Sequence, residues 1–195
     1  MMLISQIFLW IVVGALSLMV LALARQVGVL HERLTPVGAL TNAGGPAVGK
    51  PAPLLRATAL DGTTYEIGTH RARPLLMLFV ARSCPICKVL IPVAQDVARK
   101  EQLDLLFFGD GERAEQEALI TDFAIAPQLF VNSAEIGLAY QVDKLPHAAL
   151  IDEHGTLVAR GLVNSREHLE SLLVARETGF ASVQSYLKAQ RVAAE

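Results

Sequence analysis

The apolar and polar positions of the chain fall into two unlike regions. Residues 3–24 (LISQIFLWIVVGALSLMVLALA) carry no charge, with Ser5, Gln6 and Ser17 as polar interruptions. At 1.5 Å rise per residue the run makes a helix of about 33 Å, enough to cross a hydrocarbon core of about 30 Å. A cleaved export signal has a positively charged start and a shorter apolar centre. No Lys or Arg precedes this run, although Ala22 and Ala24 are small enough for a cleavage site. The pattern therefore predicts an uncleaved transmembrane anchor over residues 1–25. Val27, Val29, Leu30 and Leu34 extend the helical pattern past it, and the proline- and glycine-rich stretch up to Pro53 reads as an irregular lead-in, so residues 26–48 form a linker.

Beyond residue 48 the pattern becomes that of a folded domain over residues 49–177. LLRATAL and TTYEI flank Asp61-Gly62 and predict two short strands around a turn. RPLLMLFVA (residues 73–81) is almost unbroken in its apolar centre, as a strand covered on both faces must be. Val89, Leu90, Val93, Ala94, Val97 and Ala98 then recur at helical spacing, with Pro92 as a point of bending. LDLLFFG is a second buried strand, residues 114–123 a helix, QLFV a short strand and residues 135–140 a short helix. HAALID and TLVARG flank Glu153-His154-Gly155 as an antiparallel hairpin, and residues 166–177 form an amphipathic helix that covers the sheet. Strands alternating with helices and closing on a hairpin predict a three-layer α/β fold with a mixed central sheet. The tail, residues 178–195, places Phe180, Val183, Tyr186 and Leu187 on one helical stripe.

A formal net charge of -2 gives no basic surface that would recommend nucleic acid as a partner. Composition changes the picture chiefly through cysteine: the chain has two, Cys84 and Cys87, in ARSCPICK directly after the apolar strand. If a helix starts at Cys84, residues three apart share a face and the sulfurs can bond. Pro85 lacks an N–H where the first helical turn needs it least. The free N–H groups and dipole at that end stabilise a thiolate on Cys84. Cys84 would then attack a partner disulfide, and Cys87, one turn deeper, would release the partner. Arg82 and Lys88 either favour that thiolate or face solvent. Two unreactive buried cysteines are the bland alternative. A zinc site needs four ligands, and of the five histidines only His147 could join the pair.

A second short piece, Lys144-Leu145-Pro146-His147, immediately precedes an apolar strand. A cis Leu145–Pro146 bond would offer the Leu145 backbone to an incoming peptide beside Cys84; the alternative is an ordinary trans proline at a strand start. Gly109 to Glu112 (GDGE) reads as a turn, and no phosphate loop, carboxylate dyad or serine triad stands out.

From GKPAP through LDG, LFVARSCPIC and KLPHAALIDEHGTL to the final helix, the chain resembles the thioredoxin-like superfamily in its redoxin and TlpA-like branch. Pro92 and Pro146 stand where that superfamily has a helix proline and a cis-proline facing the cysteine pair. The uncharged N-terminal span, GKPAP and ARSCPICK are similar, more narrowly, to the methylamine-utilisation accessory proteins. That resemblance implies a client-specific thiol–disulfide oxidoreductase or isomerase with Cys84 and Cys87 catalytic and Pro85, Leu145, Pro146 and His147 supporting. It implies as client the disulfide-rich small subunit of methylamine dehydrogenase, leaves room for a membrane redox partner, and requires no cofactor or metal. It also implies an inner-membrane, single-pass protein whose domain faces the periplasm, against the weak vote of Arg25 and Arg33 for a cytoplasmic domain. Departures are Ser83 before the first cysteine, Pro85-Ile86 between the pair, Leu78 where a buried acid is usual, and Ala81 where a peroxide-reducing relative has threonine. A tethered assembly chaperone with incidental cysteines and a reductive thiol relay are the competing functions.

Overall fold

The computed structural model describes residues 2–33 and 45–178. They belong to two compact units, one ending at Ala39 and the other starting at Leu40. In the first, helix α1 (Met2–Arg33) continues past the predicted anchor boundary, so the start of the predicted linker is helical. Its segment Leu3–Leu21 has a mean hydropathy of 2.3 and is long and apolar enough to cross a membrane. The described part of the predicted tail ends at Thr178, and the apolar stripe expected beyond it lies outside the described residues.

The second unit is built on a five-stranded sheet in the order β5-β4-β3-β6-β7. Strand β3 (Leu75–Phe79) lies at its centre, buried at every position, which is why its sequence shows no alternation. It pairs in parallel with β4 (Asp104–Gly109), and β4 pairs in parallel with the short β5 (Phe130–Asn132). On its other side β3 pairs antiparallel with β6 (His147–Ile151), which forms a hairpin with β7 (Leu157–Leu162). Gly155 closes that hairpin at φ +83°, where a Cβ would also run into the Gly68 carbonyl. The predicted strands around Asp61-Gly62, β1 (Leu55–Thr58) and β2 (Thr64–Ile67), make a separate two-stranded sheet.

The core divides by sheet face. One cluster joins Leu76 and Leu78 of β3, and Val80 just after it, to Leu90, Ile91 and Ala94 of α2 (Pro85–Lys100), to Leu119 of α3 (Arg113–Asp122) and to Leu169 and Leu172 of α5 (Arg166–Thr178). The other joins Leu75, Met77 and Phe79 to Ile67 of β2 and to Ile136, on α4 (Ala134–Ala139), and Tyr140. The lead-in is already tied to the sheet before Lys50: Gly49 N–H donates to the Leu157 carbonyl at 2.8 Å. The predicted strand QLFV starts two residues late, because Pro127–Leu129 forms a 3-10 turn first.

Candidate active site

The loop leaving β3 turns directly into α2, and Cys84 is the cap of that helix. Its backbone is extended (φ -87°, ψ 110°), Pro85 takes the first helical position, and the Cys84 Sγ accepts the Cys87 N–H at 3.1 Å. The sequence builds this by placing a proline, already set at the helical φ, after a residue with a short accepting side chain. Cys84 and Cys87 are joined by a disulfide, with their Cα atoms 5.3 Å apart. Cys87 is fully buried in the α2-side cluster, whereas Cys84 is half-buried, with Ser83, Pro85, Ile86 and Lys88 exposed around it.

The Leu145–Pro146 peptide bond is cis. Because β3 and β6 are antiparallel, with Phe79 opposite His147, the loop leaving β3 and the loop entering β6 lie at the same end of the sheet. Leu145 and Cys84 pack against the same cluster that contains Cys87. Pro146 is buried, and its carbonyl accepts the Val163 N–H at 3.0 Å, which ties the loop to the end of β7. Cys84, Pro85, Cys87, Leu145 and Pro146 thus lie at one end of the sheet, with Cys84, Cys87 and Leu145 sharing one cluster.

His147 is not brought to the pair. It stands opposite Phe79, on the face of the sheet away from Cys87, and its ring meets the Phe79 ring edge-on with centroids 6.1 Å apart. The period of two along a strand puts residue 147 with Ala149 and Ile151 rather than with Ala148 and Leu150, so its imidazole cannot serve the cysteines. It is fully buried, neither ring nitrogen has a hydrogen-bond partner among the described residues, and burial pushes its pKa down to about 4. Leu78, also fully buried, does share the cluster of Cys87, so an apolar side chain occupies the place of the usual acid. Arg82 pairs with Asp122 at 3.4 Å and Lys88 is exposed. Sequence reading passed over Asp122, and also over Arg160, which is 3 % exposed and donates to the Tyr140 carbonyl at 2.7 Å. Both depend on partners distant in the chain, and no local pattern announces them.

A half-exposed sulfur capping a helix and bonded to a buried sulfur one turn along can exchange that bond with another protein's thiols, and requires nothing else to carry the electrons. On this sheet it makes the chain a thiol–disulfide oxidoreductase of the thioredoxin-like class. The fold is shared with a thioredoxin-like protein from Aeropyrum pernix (TM-score 0.52, 14 % identity, 63 % of this chain and 89 % of that one). It is shared also with the pneumococcal exposed lipoprotein thioredoxin of Streptococcus pneumoniae (TM-score 0.50, 19 % identity, 62 % and 98 %).

No family model matches the sequence. Whole relatives do: the chain is 40 % identical over 187 residues to the methylamine utilization protein MauD of Paracoccus versutus, covering 96 % of this chain and 95 % of that protein. It is 39 % identical over 191 residues to the MauD of Methylophilus methylotrophus, covering 97 % and 90 %. The chain belongs to the MauD family of methylamine utilization proteins.

Proposed function

We propose that this protein is a membrane-anchored thiol–disulfide oxidoreductase that forms or rearranges disulfides in a periplasmic client, the small subunit of methylamine dehydrogenase. In that reading residues 1–25 anchor the chain in the inner membrane, residues 26–48 link it to the domain over 49–177, and the domain faces the periplasm. Membership of the MauD family supports the client, and the uncharged helix Leu3–Leu21 supports the anchor.

The observation that carries the chemistry is the asymmetry of the pair: a half-buried Cys84 capping α2 and a fully buried Cys87. A client thiolate attacks the Sγ of Cys84, the bond to Cys87 breaks, and Cys87 leaves as a thiolate that takes up a proton. A second client thiolate then attacks the client sulfur of the mixed disulfide. Cys84 leaves as a thiolate stabilised by the helix end, and the client holds a new disulfide. The two electrons end on Cys84 and Cys87, and a redox partner must remove them before the next cycle. The cis Leu145–Pro146 loop is the surface that supports the client chain beside Cys84.

The test is to express Cys87→Ala in the native host and isolate what remains covalently attached. We expect a reducible adduct between Cys84 and the methylamine dehydrogenase small subunit, lost in the Cys84→Ala, Cys87→Ala double variant. Equal adduct in Cys84→Ala, which keeps Cys87, or normal maturation of the client without either cysteine, would return the choice to a tethered chaperone.

A further inference from the structure

Only the carboxyl half of β4 is paired on its outer side. Val80 N–H donates to the Phe108 carbonyl (2.8 Å) and Asp104 N–H to the Pro74 carbonyl (2.9 Å), so even-numbered residues of β4 turn their main-chain groups toward β3. Ser133 N–H donates to the Gly109 carbonyl (2.8 Å), so odd-numbered residues turn the other way, toward β5. Yet β5 meets β4 only from Phe107 onward, opposite Phe130. Where it would have to begin earlier, Pro127 sets the 3-10 turn and Leu129 N–H donates back to the Ala126 carbonyl at 2.8 Å. The N–H and C=O of Leu105 are left facing sideways with no strand beside them among the described residues, although Leu105 is only 9 % exposed. Main-chain polar groups at that depth are nearly always paired.

Beside this gap lies a cleft of about 660 Å³, walled by Ala98, Leu103, Leu106 and Leu129 and carrying the guanidinium groups of Arg71 and Arg99 and the carboxylate of Asp104. The Nε of Arg71 is buried and donates to nothing among the described residues; the nearest oxygen of Asp104 is 3.7 Å away. Arg99 pairs with Asp96, whose carboxylate is shared with Lys100 and with Arg166, and Arg166 pairs also with Glu170 at 3.6 Å. The rim therefore has cationic groups in excess of acids.

We propose that the open half of β4 is a docking groove for an extended, aliphatic segment of another polypeptide that carries an acidic side chain. The segment adds as a strand beside Leu105, satisfying its N–H and C=O, lays its aliphatic side chains on the cleft walls and places its carboxylate on Arg71. The chain's own segments outside the described set do not complement the rim. Residues 34–44 carry no charge, and residues 179–195 carry Lys188 and Arg191 against Glu195. A second copy would bring the same excess of cations. The cleft lies at the amino ends of β3 and β4 and the disulfide beyond the carboxyl end of β3, so a partner held here leaves the sulfurs free.

The full-length protein in detergent micelles is titrated with the blocked peptide Ac-Ser-Val-Asp-Val-Ser-amide and with its counterpart carrying Lys for Asp, while amide hydrogen exchange is read at Leu105. The Asp peptide should slow exchange at Leu105 about tenfold or more at saturation, the Lys peptide should not, and Arg71→Gln should weaken binding of the Asp peptide about fivefold or more. The wild-type exchange measurement stands whether or not that variant folds. Unchanged exchange with the Asp peptide, or equal protection by the Lys peptide, would overturn the proposal. So would protection that rises with protein concentration and no peptide, since the occupant would then be a second copy.

Discussion

A sulfur that accepts the Cys87 N–H in the disulfide accepts it more strongly as an anion, because both the hydrogen bond and the helix dipole favour negative charge at that point. Reduction should therefore leave Cys84 ionised at a pH where an ordinary thiol is not. Alkylation of the reduced protein as a function of pH should give a midpoint for Cys84 about one unit or more below the usual 8.5, with Cys87 reacting slowly throughout. A midpoint for Cys84 at or above 8.5 would mean that the cap does not activate it. The buried His147 makes the opposite case, a charge excluded. Its pKa of about 4 lies below the unfolded value of 6.5, with the neighbouring Arg160 charge adding to burial and Asp143 opposing both. Between those values the unfolded chain binds the extra proton, so stability is fully present above about 6.5 and is lost as pH falls toward 4, by about 3 kcal/mol at most. Urea unfolding from pH 7 to 4 should show this slope, and His147→Leu should remove it, since an apolar side chain leaves no ring nitrogen without a partner. The two residues also mark what a sequence reveals at this scale. Cys-Pro-x-Cys after a strand states its own geometry, because cap, proline and i, i+3 spacing are all local. Pro-His before a buried strand does not, because both faces of that strand are apolar and the alternation that would assign His147 to a face is invisible.

At the scale of elements, one carboxylate ties α2 to the last described helix, α5. Asp96 of α2 accepts from Arg166 of α5 at 2.7 Å and pairs with Lys100 at 3.0 Å, and these two cations hold its pKa down at about 2. A depressed carboxylate stabilises above its unfolded pKa of about 3.8 and loses that contribution as pH falls through 2, a window below that of His147. Asp96→Asn should speed amide exchange in the first turn of α5 at neutral pH and should have less effect near pH 2. An equal effect at both would assign the tie to packing alone. The elements themselves were legible wherever the pattern was continuous or periodic: β3, β4 and the β6–β7 hairpin lie within a residue or two of where the apolar positions put them, and α2 starts where the cysteine pair, not its apolar stripe, puts it. Their pairing was less so. The short run QLFV gave no sign that Pro127 would hold Gln128 and Leu129 in a 3-10 turn, and that delay is what leaves the edge of β4 open at Leu105.

At the scale of the whole molecule, the composition divides where the contacts do. Along the sequence, the uncharged run makes a helix with apolar residues exposed along Leu3–Leu21, and the proline- and glycine-rich lead-in precedes a unit with two buried clusters of its own. Among the described residues, neither cluster includes one before Ala52. The domain should therefore fold on its own, since the area it removes from water within these clusters is the dominant favourable term. A chain beginning at Leu40 should be soluble without detergent, unfold in a single cooperative transition, and oxidise a small dithiol or reduce a small disulfide within about twofold of the full-length rate. Exported to the periplasm on a cleavable signal, it should support client maturation less well than the full-length chain if α1 is the proposed anchor, because a tether raises the local concentration of domain at the membrane. If the truncated chain aggregated or lost exchange activity toward the small substrate, the helix would be part of the folded domain rather than its anchor. Equal maturation with and without α1 would instead show that tethering has no part in reaching the client.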